Sequence, residues 1–411
     1  MGMFMTGRSG VGRPRARRRR TVGDVIAMAA VSTGIAMFGI GITAGTAAAS
    51  NLTVSAAEST SAVSRVAAGY AHTCAIRADG TLWCWGSNYS GELGDGKTAN
   101  SSTPVRVGDA TSWASIDGGA SHTCAIRTDR TLWCWGLNTR GQLGDGTTTK
   151  RNVPVQVGTA ATWATVSAGD SHTCAVRTNG TLWCWGFNRL AQLGTGSSTY
   201  YETSPVQVDT ATTWATVATG FAHTCATRTN GTLWCWGDSS SGQLGVGVLS
   251  YKRTPTQVGT VTTWASVTTG RVFTCAVRTD STLWCWGENG YGQLGADTKH
   301  QAEPMRVGTV STWKGVSAGN STACANRADG TLWCWGNNAK GQLGDGTTTN
   351  LSTPSKVGTA TTWANSSLGS YHSCGIRTDG TLWCWGNNGN AQLGDGTTTD
   401  RKAPTQVTFQ A

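Results

Sequence analysis

The chain has 411 residues, of which only 13% are charged, against about 25% in an ordinary soluble domain. Its 38% of hydrophobic residues exclude a disordered protein, and its eight prolines are too few for a collagen-like one. The formal net charge is +10, but residues 1–49 hold seven arginines and one acid, so the remainder carries only +4. No basic stripe is visible along that remainder, and we therefore predict no nucleic-acid partner.

The first fifty residues have the three parts of a secretory signal. Arg13 to Arg20 is strongly basic, 25–49 is mostly apolar, and Ala47 to Ala49 supplies a small-residue cleavage site. The apolar run is also long enough to span a bilayer, so an uncleaved N-terminal membrane anchor is the alternative. We predict that 1–49 is a signal peptide or anchor and that 50–62 is a linker. The rest is then extracellular, either secreted or tethered to the outer side of the cell membrane through 25–49.

A motif of about fifty residues recurs seven times in the rest of the chain. The triplet Trp-Cys-Trp begins at Trp83 and at six later positions, each 49 to 51 residues after the one before. These triplets hold 14 of the 20 tryptophans, and each of the other six lies eleven residues before the first cysteine of a repeat. The first repeat has Val63 there instead. A fixed period of this length is typical of solenoids and propellers, so 63–411 is predicted to be one repeat domain.

Each repeat contains a predicted β-hairpin, which the third repeat illustrates. Residues 172–177 form a strand, Asn179-Gly180 lies in the turn, and 181–185 form the returning strand. A three-residue loop places Cys174 directly opposite Cys184, with the tryptophans of the triplet on the other face. Both faces of the hairpin are therefore apolar, and each must pack against another sheet.

The repeats are predicted to form a ring. Flanking segments such as Trp163 to Gly169 and Pro205 to Val208 add one strand each, which makes four strands per repeat. We predict an all-β fold, a seven-bladed β-propeller of four-stranded antiparallel blades. Because Pro404 to Val407 would continue into Val63 to Gly69, we expect the N- and C-terminal segments to pair in one blade and close the ring. A β-solenoid is the alternative, but its coils are usually shorter and its ends need not complement each other.

The repeat also resembles a known family. It reads His-Thr-Cys-Ala-(Ile/Val)-Arg-x-(Asp/Asn)-Gly-Thr-Leu-Trp-Cys-Trp-Gly, then Gly-Gln-Leu-Gly-Asp-Gly, then Pro-x-x-Val. This is similar to the regulator of chromosome condensation repeat, and the chain resembles its exported bacterial members and its α-tubulin suppressor-like group. The resemblance implies a seven-bladed propeller. Its namesake exchanges guanine nucleotide on the small GTPase Ran and binds chromatin, whereas a secreted bacterial member inhibits β-lactamase, so the resemblance leaves function open.

The fourteen cysteines form seven pairs, each spaced C-x9-C. In the hairpin register above, the two members of a pair face each other at a distance that a disulfide accepts. The even count and the predicted export favour seven disulfides. Buried free thiols are the alternative, and zinc fits less well because its ligands are usually more closely spaced. The predicted pairs are Cys74–Cys84, Cys124–Cys134, Cys174–Cys184, Cys225–Cys235, Cys275–Cys285, Cys324–Cys334 and Cys374–Cys384.

Five histidines recur two residues before the first cysteine of their repeats. A ring of imidazoles could bind a metal or an anion at the axis. The replacement by Phe273 and Thr322 in two repeats favours a structural role instead, in which each imidazole bonds backbone groups at a strand start. The recurrent Gly-Asp-Gly is interpreted as turn chemistry and not as a calcium site, because repeats three and four have Thr195 and Val246 in place of the aspartate.

No motif for catalysis is present. The exported part has five scattered glutamates and lacks the nucleophile-elbow, zinc-protease and P-loop patterns. With every cysteine paired, no thiol nucleophile remains. We therefore predict no catalytic residue, no metal and no cofactor.

The segments that differ between repeats are the candidate binding sites. They follow Trp-Cys-Trp-Gly and precede Pro-x-x-Val, and repeats three to five differ most. Aromatic residues and arginine are frequent interface anchors, although neutral drift in loops explains the variation equally well. The candidate partner-binding residues are Phe187, Arg189, Tyr200, Tyr201, Tyr251, Lys252, Arg253 and Tyr291.

These observations predict an exported, monomeric propeller that acts by binding an extracellular protein or a cell-surface polymer through its loops. A guanine-nucleotide exchange factor-like regulator of a small GTPase is the alternative that the family resemblance supplies. A hydrolase whose site is assembled across blades is a third.

Overall fold

The computed structural model describes residues 62–409, which form 28 β-strands in seven four-stranded sheets. Every sheet consists of four consecutive antiparallel strands, and the sheets are numbered here as blades 1 to 7 along the chain. The first strands of neighbouring blades contact one another around the ring and so surround its axis. The all-β, seven-bladed propeller predicted from the repeat is therefore confirmed.

The strands are numbered in chain order. The innermost strands are β1 (Val63–Ala68), β5 (Trp113–Gly118), β9 (Trp163–Ala168), β13 (Trp214–Thr219), β17 (Trp264–Thr269), β21 (Trp313–Ala318) and β25 (Trp363–Leu368). The second strands are β2 (His72–Arg77), β6 (His122–Arg127), β10 (His172–Arg177), β14 (His223–Arg228), β18 (Phe273–Arg278), β22 (Thr322–Arg327) and β26 (His372–Arg377). The third strands are β3 (Leu82–Gly86), β7 (Leu132–Gly136), β11 (Leu182–Phe187), β15 (Leu233–Gly237), β19 (Leu283–Gly287), β23 (Leu332–Gly336) and β27 (Leu382–Gly386). The outer strands are β4 (Ser101–Arg106), β8 (Arg151–Gln156), β12 (Tyr201–Gln207), β16 (Lys252–Gln257), β20 (Gln301–Arg306), β24 (Leu351–Lys356) and β28 (Arg401–Gln406).

The central hairpin of each blade has the register expected from its turn. In blade 3, Cys174 pairs with Cys184, and the N–H of Arg177 donates to the carbonyl of Thr181 across the three-residue loop. All seven predicted cysteine pairs form disulfides, with Cα–Cα distances of 4.0 to 4.1 Å. The hairpin of every blade is thus closed by a turn at one end and by a covalent bond in the middle.

The two faces of a hairpin belong to two different cores. In blade 3, Cys174 and Cys184 pack with Trp214 and Trp236 of blade 4, whereas Trp185 packs against blade 2. The same arrangement recurs at each blade junction and includes the junction between blades 7 and 1. Burial on both faces explains why the central strands show no alternation of polar and apolar residues.

The closure of the ring differs from the expectation. The terminal strands β1 and β28 lie in adjacent blades and do not pair in one sheet. The reason is that a period gives the length of a repeat but not its starting point: the Pro-x-x-Val strand ends one blade and the next tryptophan strand begins another. The ends of the chain still meet, because the N–H of Val63 donates to the carbonyl of Gly380 in blade 7.

A side chain from the C-terminal tail completes blade 1. In the other six blades, the tryptophan that begins the innermost strand packs beside the Trp-Cys-Trp triplet and under an arginine; in blade 2, Arg127 stacks between Trp113 and Trp133. Blade 1 has Val63 at this position, and Phe409 occupies the space. Its ring centroid lies 5.9 Å from that of Trp83 and 6.1 Å from that of Trp85. The C-terminal tail of the same chain therefore supplies the aromatic ring that the first repeat lacks.

The predicted signal peptide or anchor and nearly all of the predicted linker lie outside the described residues. Between residues 62 and 409, no helix is long and apolar enough to cross a membrane.

Candidate recognition face

The strand directions bring two sets of loops to one face of the propeller. In blade 1, Ala68 pairs with Thr73, His72 pairs with Gly86, and Gly86 pairs with Ser101. The connection from first to second strand and the long connection from third to outer strand therefore emerge together. We call this side of the ring the loop face. The opposite side carries the short hairpin turns and the connections between blades.

The centre of the loop face is a cavity at the axis, which we call the axial mouth. It encloses about 200 Å³ and is lined by the seven connections between first and second strands. Each connection starts with a glycine: Gly69, Gly119, Gly169, Gly220, Gly270, Gly319 and Gly369. A Cβ at Gly69 would lie 2.6 Å from the carbonyl oxygen of Gly119 in the next blade and would also collide with the ring of His72. Glycine is required there because the neighbouring blade approaches so closely.

The backbone around the mouth is bonded to itself. The N–H of Tyr70 donates to Gly119 O at 3.1 Å, and equivalent bonds of 3.2 to 3.4 Å join five further blade junctions. One of them runs from Ser370 N to Tyr70 O and links the last blade to the first. These bonds join six of the seven blade junctions into a belt of backbone groups, so the side chains of the mouth are what it offers to a ligand.

The residue after each of these glycines differs in every repeat. In order around the ring these residues are Tyr70, Ala120, Asp170, Phe221, Arg271, Asn320 and Ser370. Sequence reasoning missed this position because it lies between an invariant glycine and the histidine-cysteine strand, in a segment that otherwise repeats closely. Tabulating the seven repeats position by position would have found it, since seven different residues occur in seven copies.

The mouth combines aromatic rings with one balanced pair of charges. The rings of Tyr70 and Tyr371 meet edge to face, with centroids 6.5 Å apart. The guanidinium of Arg271 lies 4.9 Å from the ring centroid of Phe221. Burial raises the pKa of the Asp170 carboxyl, while a hydrogen bond from Ser171 Oγ (2.8 Å) and the charge of Arg271 act in the opposite direction. Of the residues that line the cavity, Asp170 and Arg271 are the charged ones.

The structure places the predicted partner-binding residues on the loop face and sorts them into groups. The first group lies at the junction of blades 2 and 3: the ring centroids of Phe187 and Tyr200 are 5.2 Å apart, those of Tyr200 and Tyr201 are 6.3 Å apart, and Arg140 reaches over Phe187 from the preceding blade. The prediction did not include Arg140.

The second group lies on blade 4. There Arg253 Nη2 donates to Tyr251 Oη at 3.3 Å, and Lys252 starts the same outer strand. Arg189 and Tyr291 are exposed on the loops of blades 3 and 5. The structure thus brings some of the predicted residues together in pairs and triplets but does not gather all eight at one point.

All seven tyrosines of the chain are exposed on the loop face, with exposed fractions between 36% and 69%. Phe221, Val248 and Leu249 are exposed on the same side. Among the described residues, Val153 on the outer strand β8 is the one exposed large hydrophobic side chain in the middle of a strand. The propeller therefore has one face rich in exposed aromatic residues.

The histidine ring has a structural role between blades. His172 Nε2 lies 2.9 Å from Thr224 Oγ1 of the next blade, and this hydroxyl donates to the carbonyl of Gln192 at 2.8 Å. The hydroxyl must then accept a hydrogen bond from the imidazole, which fixes the Nε2–H tautomer. The same pairing joins His72 to Thr123, His122 to Thr173, His223 to Thr274 and His372 to Thr73. The partner is a side chain and not the backbone that we expected.

Burial keeps these histidines neutral. It lowers the pKa of His72 and His223 to about 4 and of His122, His172 and His372 to about 3. The exceptions are consistent with the pairing, because blade 5 has Phe273 in place of the histidine and blade 6 has Ala323 in place of its threonine partner. The histidines thus couple five of the seven blades to the next blade.

The aspartates of Gly-Asp-Gly organise the long loops. Asp145 Oδ1 accepts hydrogen bonds from Asn138 Nδ2 and from the N–H of Thr147, and Arg151 forms an ion pair with Asp145 Oδ2 at 2.8 Å. Within residues 62–409, no three side chains of the kinds that bind metals come together. The interpretation of this motif as turn chemistry agrees with these contacts.

Comparison with known proteins gives the family. The model of the RCC1-like domain matches residues 160–411, which is more than half of the chain. Models of the regulator of chromosome condensation (RCC1) repeat match 79–126 and 130–176, and also 63–92 and 113–142. The chain belongs to the RCC1-like domain family. The resemblance stated from the repeat motif is thereby confirmed.

Solved structures with this fold include other RCC1-like propellers. Prp20p from Saccharomyces cerevisiae, a protein with binding properties to Gsp1p and histones, is 21% identical, with a TM-score of 0.72. The match covers 86% of this chain and 89% of that one. Human WBSCR16 is also 21% identical, with a TM-score of 0.72, covering 80% and 94%. The receptor kinase CR4 ectodomain from Physcomitrella patens is 20% identical, with a TM-score of 0.52, covering 79% and 74%. At these identities the likeness of this RCC1-like domain to its neighbours concerns the fold.

Proposed function

We propose that this protein is an exported, non-catalytic recognition module that binds an extracellular protein through its loop face. The observation that carries the proposal is the exposure of all seven tyrosines on that one side of the ring. Tyrosine and arginine are enriched among the residues that dominate binding energy at protein interfaces. Exposed aromatic side chains that are concentrated on one side of a protein often mark an interaction site.

The frame behind the loop face is suited to presenting a preformed surface. Each central hairpin is held by a disulfide, and a buried asparagine ties six of the seven long loops to their own blades, whereas blade 4 has Ser239 at this position. In blade 2, Asn138 Oδ1 accepts from the N–H of Leu143, and Asn138 Nδ2 donates to Asp145. Loops that are ordered before binding lose less conformational entropy in the complex. Rigid aromatic anchors on such loops therefore support tight and specific binding.

The disulfides also support the location. Seven buried disulfides are typical of an oxidising compartment, since cytosolic thiols are kept reduced. This agrees with the export signal predicted for residues 1–49. It weighs against nucleotide exchange on a cytoplasmic GTPase, the function that the family resemblance would otherwise suggest.

The binding surface is tested by capture with variants. The full-length protein, secreted by its own host and cross-linked on intact cells, is compared with a variant carrying Tyr200→Ala, Tyr201→Ala and Tyr251→Ala. If these residues anchor a partner, we expect capture of the same protein to fall by tenfold or more, as for the loss of interface hot spots. The control carries Thr361→Ala and Thr362→Ala, exposed residues on the opposite face, and should capture as well as the wild type.

Three outcomes would count against the proposal. Equal capture by the tyrosine and threonine variants would reject the loop face as the interface. Accumulation of the full-length protein in the cytoplasm would reject export. Acceleration of nucleotide release from a host GTPase would replace binding alone by exchange.

A further inference from the structure

The axial mouth is a small cavity that is not part of the protein-binding surface proposed above for the long loops. Its volume of about 200 Å³ is below the range of about 300 to 1,000 Å³ that is usual for pockets holding a whole drug-sized ligand. The cavity is therefore large enough for one small unit of a longer molecule. Its walls are rigid, because the backbone belt joins the connections of neighbouring blades.

The mouth is poorly suited to a peptide backbone. The amide groups of Tyr70, Ala120, Asp170, Phe221 and Arg271 all donate to carbonyl groups of the next blade. These donors and their acceptors are consequently occupied by one another. Recognition of an extended peptide usually depends on unpaired main-chain groups at an edge, and the belt leaves few of them.

The side chains that remain suit a neutral ligand with both apolar and hydroxyl-bearing surfaces. Tyr70 and Phe221 line the cavity with exposed aromatic rings, which can pack against the C–H face of a sugar ring. Asp170 and Asn320 carry planar groups with two polar atoms side by side, the geometry that bridges adjacent hydroxyls. The charges of Asp170 and Arg271 cancel, so the mouth favours neither an anion nor a cation.

From this combination we infer that the axial mouth is a binding site for a neutral pyranose unit of a glycan. Tyr70, supported edge to face by the ring of Tyr371, forms the stacking wall on blade 1. Asp170, held in place by Ser171 Oγ, lies on blade 3 and accepts hydrogen bonds from sugar hydroxyls. The variability of this ring position follows, because each of its seven side chains meets a different part of an asymmetric ligand.

The test is direct binding to the purified secreted protein. The probes are the methyl glycosides of glucose, galactose, mannose and N-acetylglucosamine, titrated by saturation-transfer difference NMR. We expect saturable binding of at least one glycoside with a Kd of about 1 mM, the affinity typical of so few ligand atoms. The variants Tyr70→Ala and Asp170→Ala should each weaken it by about tenfold or more, the loss typical of a hot-spot contact.

Two controls separate the mouth from the rest of the face. Tyr89→Ala and Tyr291→Ala remove exposed tyrosines on long loops away from the axis, and should leave the Kd of the glycoside within about twofold of the wild type, as expected for a residue outside the contact. A melting curve for every variant, followed by the buried tryptophans, confirms that the ring has folded. Glycoside binding does not depend on Tyr200, Tyr201 or Tyr251, so this result and the capture result can succeed or fail separately.

Several results would overturn the inference. One is the absence of saturable binding for every glycoside. Another is binding that Tyr291→Ala removes and Tyr70→Ala leaves unchanged. A third is saturable binding at the mouth of N-acetyl-tyrosine amide or N-acetyl-arginine amide in place of any glycoside, which would assign the mouth to a side chain of a protein partner.

Discussion

Mild acid is expected to destabilise the propeller strongly because five histidines are buried in the neutral form. Their pKa values of about 3 to 4 in the folded state lie below the value of 6.5 that an exposed imidazole has. When the folded pKa is lowered, the unfolded chain binds more protons below pH 6.5 than the folded one does. Stability that is present above pH 6.5 is therefore lost as the pH falls towards 4.

The magnitude follows from this linkage. Between pH 7 and pH 5, each such histidine lowers the free energy of unfolding by about 2 kcal/mol, and five of them by about 9 kcal/mol. Asp117 opposes them: burial raises its pKa to about 6, so its protonation in the folded state adds about 1 kcal/mol over the same interval. Burial raises the pKa of Glu92 and Asp170 as well, in the same sense as Asp117. A net loss of about 8 kcal/mol is comparable to the whole stability of an ordinary domain.

The assay is urea unfolding at a series of pH values, followed by the fluorescence of the buried tryptophans. Near pH 5 the slope of the unfolding free energy should correspond to an uptake of about four protons, one per histidine less the one that Asp117 releases. The double variant His172→Phe, Thr224→Ala copies the pair Phe273 and Ala323 that blades 5 and 6 already contain, and should lower the uptake by about one proton.

The control is the pair Thr361→Ala and Thr362→Ala, exposed residues on the opposite face, which removes no titratable group and should leave the uptake as it is in the wild type. A free energy of unfolding that stays constant between pH 7 and pH 5 would refute the reasoning. So would an unchanged proton uptake in the double variant.

Three further predictions concern the ring itself. Phe409→Ala should lower the free energy of unfolding by about 1 to 3 kcal/mol, because burial and ring contacts are lost, and Val63→Trp in that background should restore it. If Phe409→Ala is as stable in urea as the wild type, the assigned contact is wrong. Arg130 occupies a hairpin turn with a φ of 64°, so Arg130→Gly should raise the free energy of unfolding by about 0.5 to 1 kcal/mol. Gly180 lies at the same position in blade 3, and Gly180→Arg should lower the free energy of unfolding. A loss of stability on Arg130→Gly would show that the turn is not strained. Alkylation without reductant followed by intact-mass measurement should label no cysteine, whereas fourteen labels would show free thiols.

The spacing of tryptophan and cysteine was sufficient to predict the blades, because each pair of cysteines fixes which residues of a hairpin lie opposite each other. Asn179 and Gly180 then determined the register of the third hairpin, which the pairing of Cys174 with Cys184 confirms. The role of Phe409 could not be predicted, since it has no counterpart in the other repeats and acts on a blade to which it does not belong. Phe409 and Val63 become related once the ring is closed.

The axial mouth was missed for a different reason. A periodic pattern reveals the residues that recur, and Tyr70, Asp170 and Arg271 each interrupt a recurring segment at a single position. The long loops attracted attention because many successive residues differ there. A site assembled from one residue per repeat becomes apparent when the fold places those residues around a common axis.

The residues that recur in the repeats stabilise the junctions between blades, whereas the exposed loop residues are the ones available for recognition. The carbonyl oxygen of Gln142 in blade 2 accepts hydrogen bonds from Thr173 and from Trp185 of blade 3, so a change in any of these residues alters two blades at once. An exposed loop residue such as Tyr89 or Tyr291 has no such role at a junction. Substitutions of such exposed loop residues are therefore expected to change stability by less than about 0.5 kcal/mol. Loss of binding in the tyrosine variants, at unchanged stability, would then report on the interface and not on the fold.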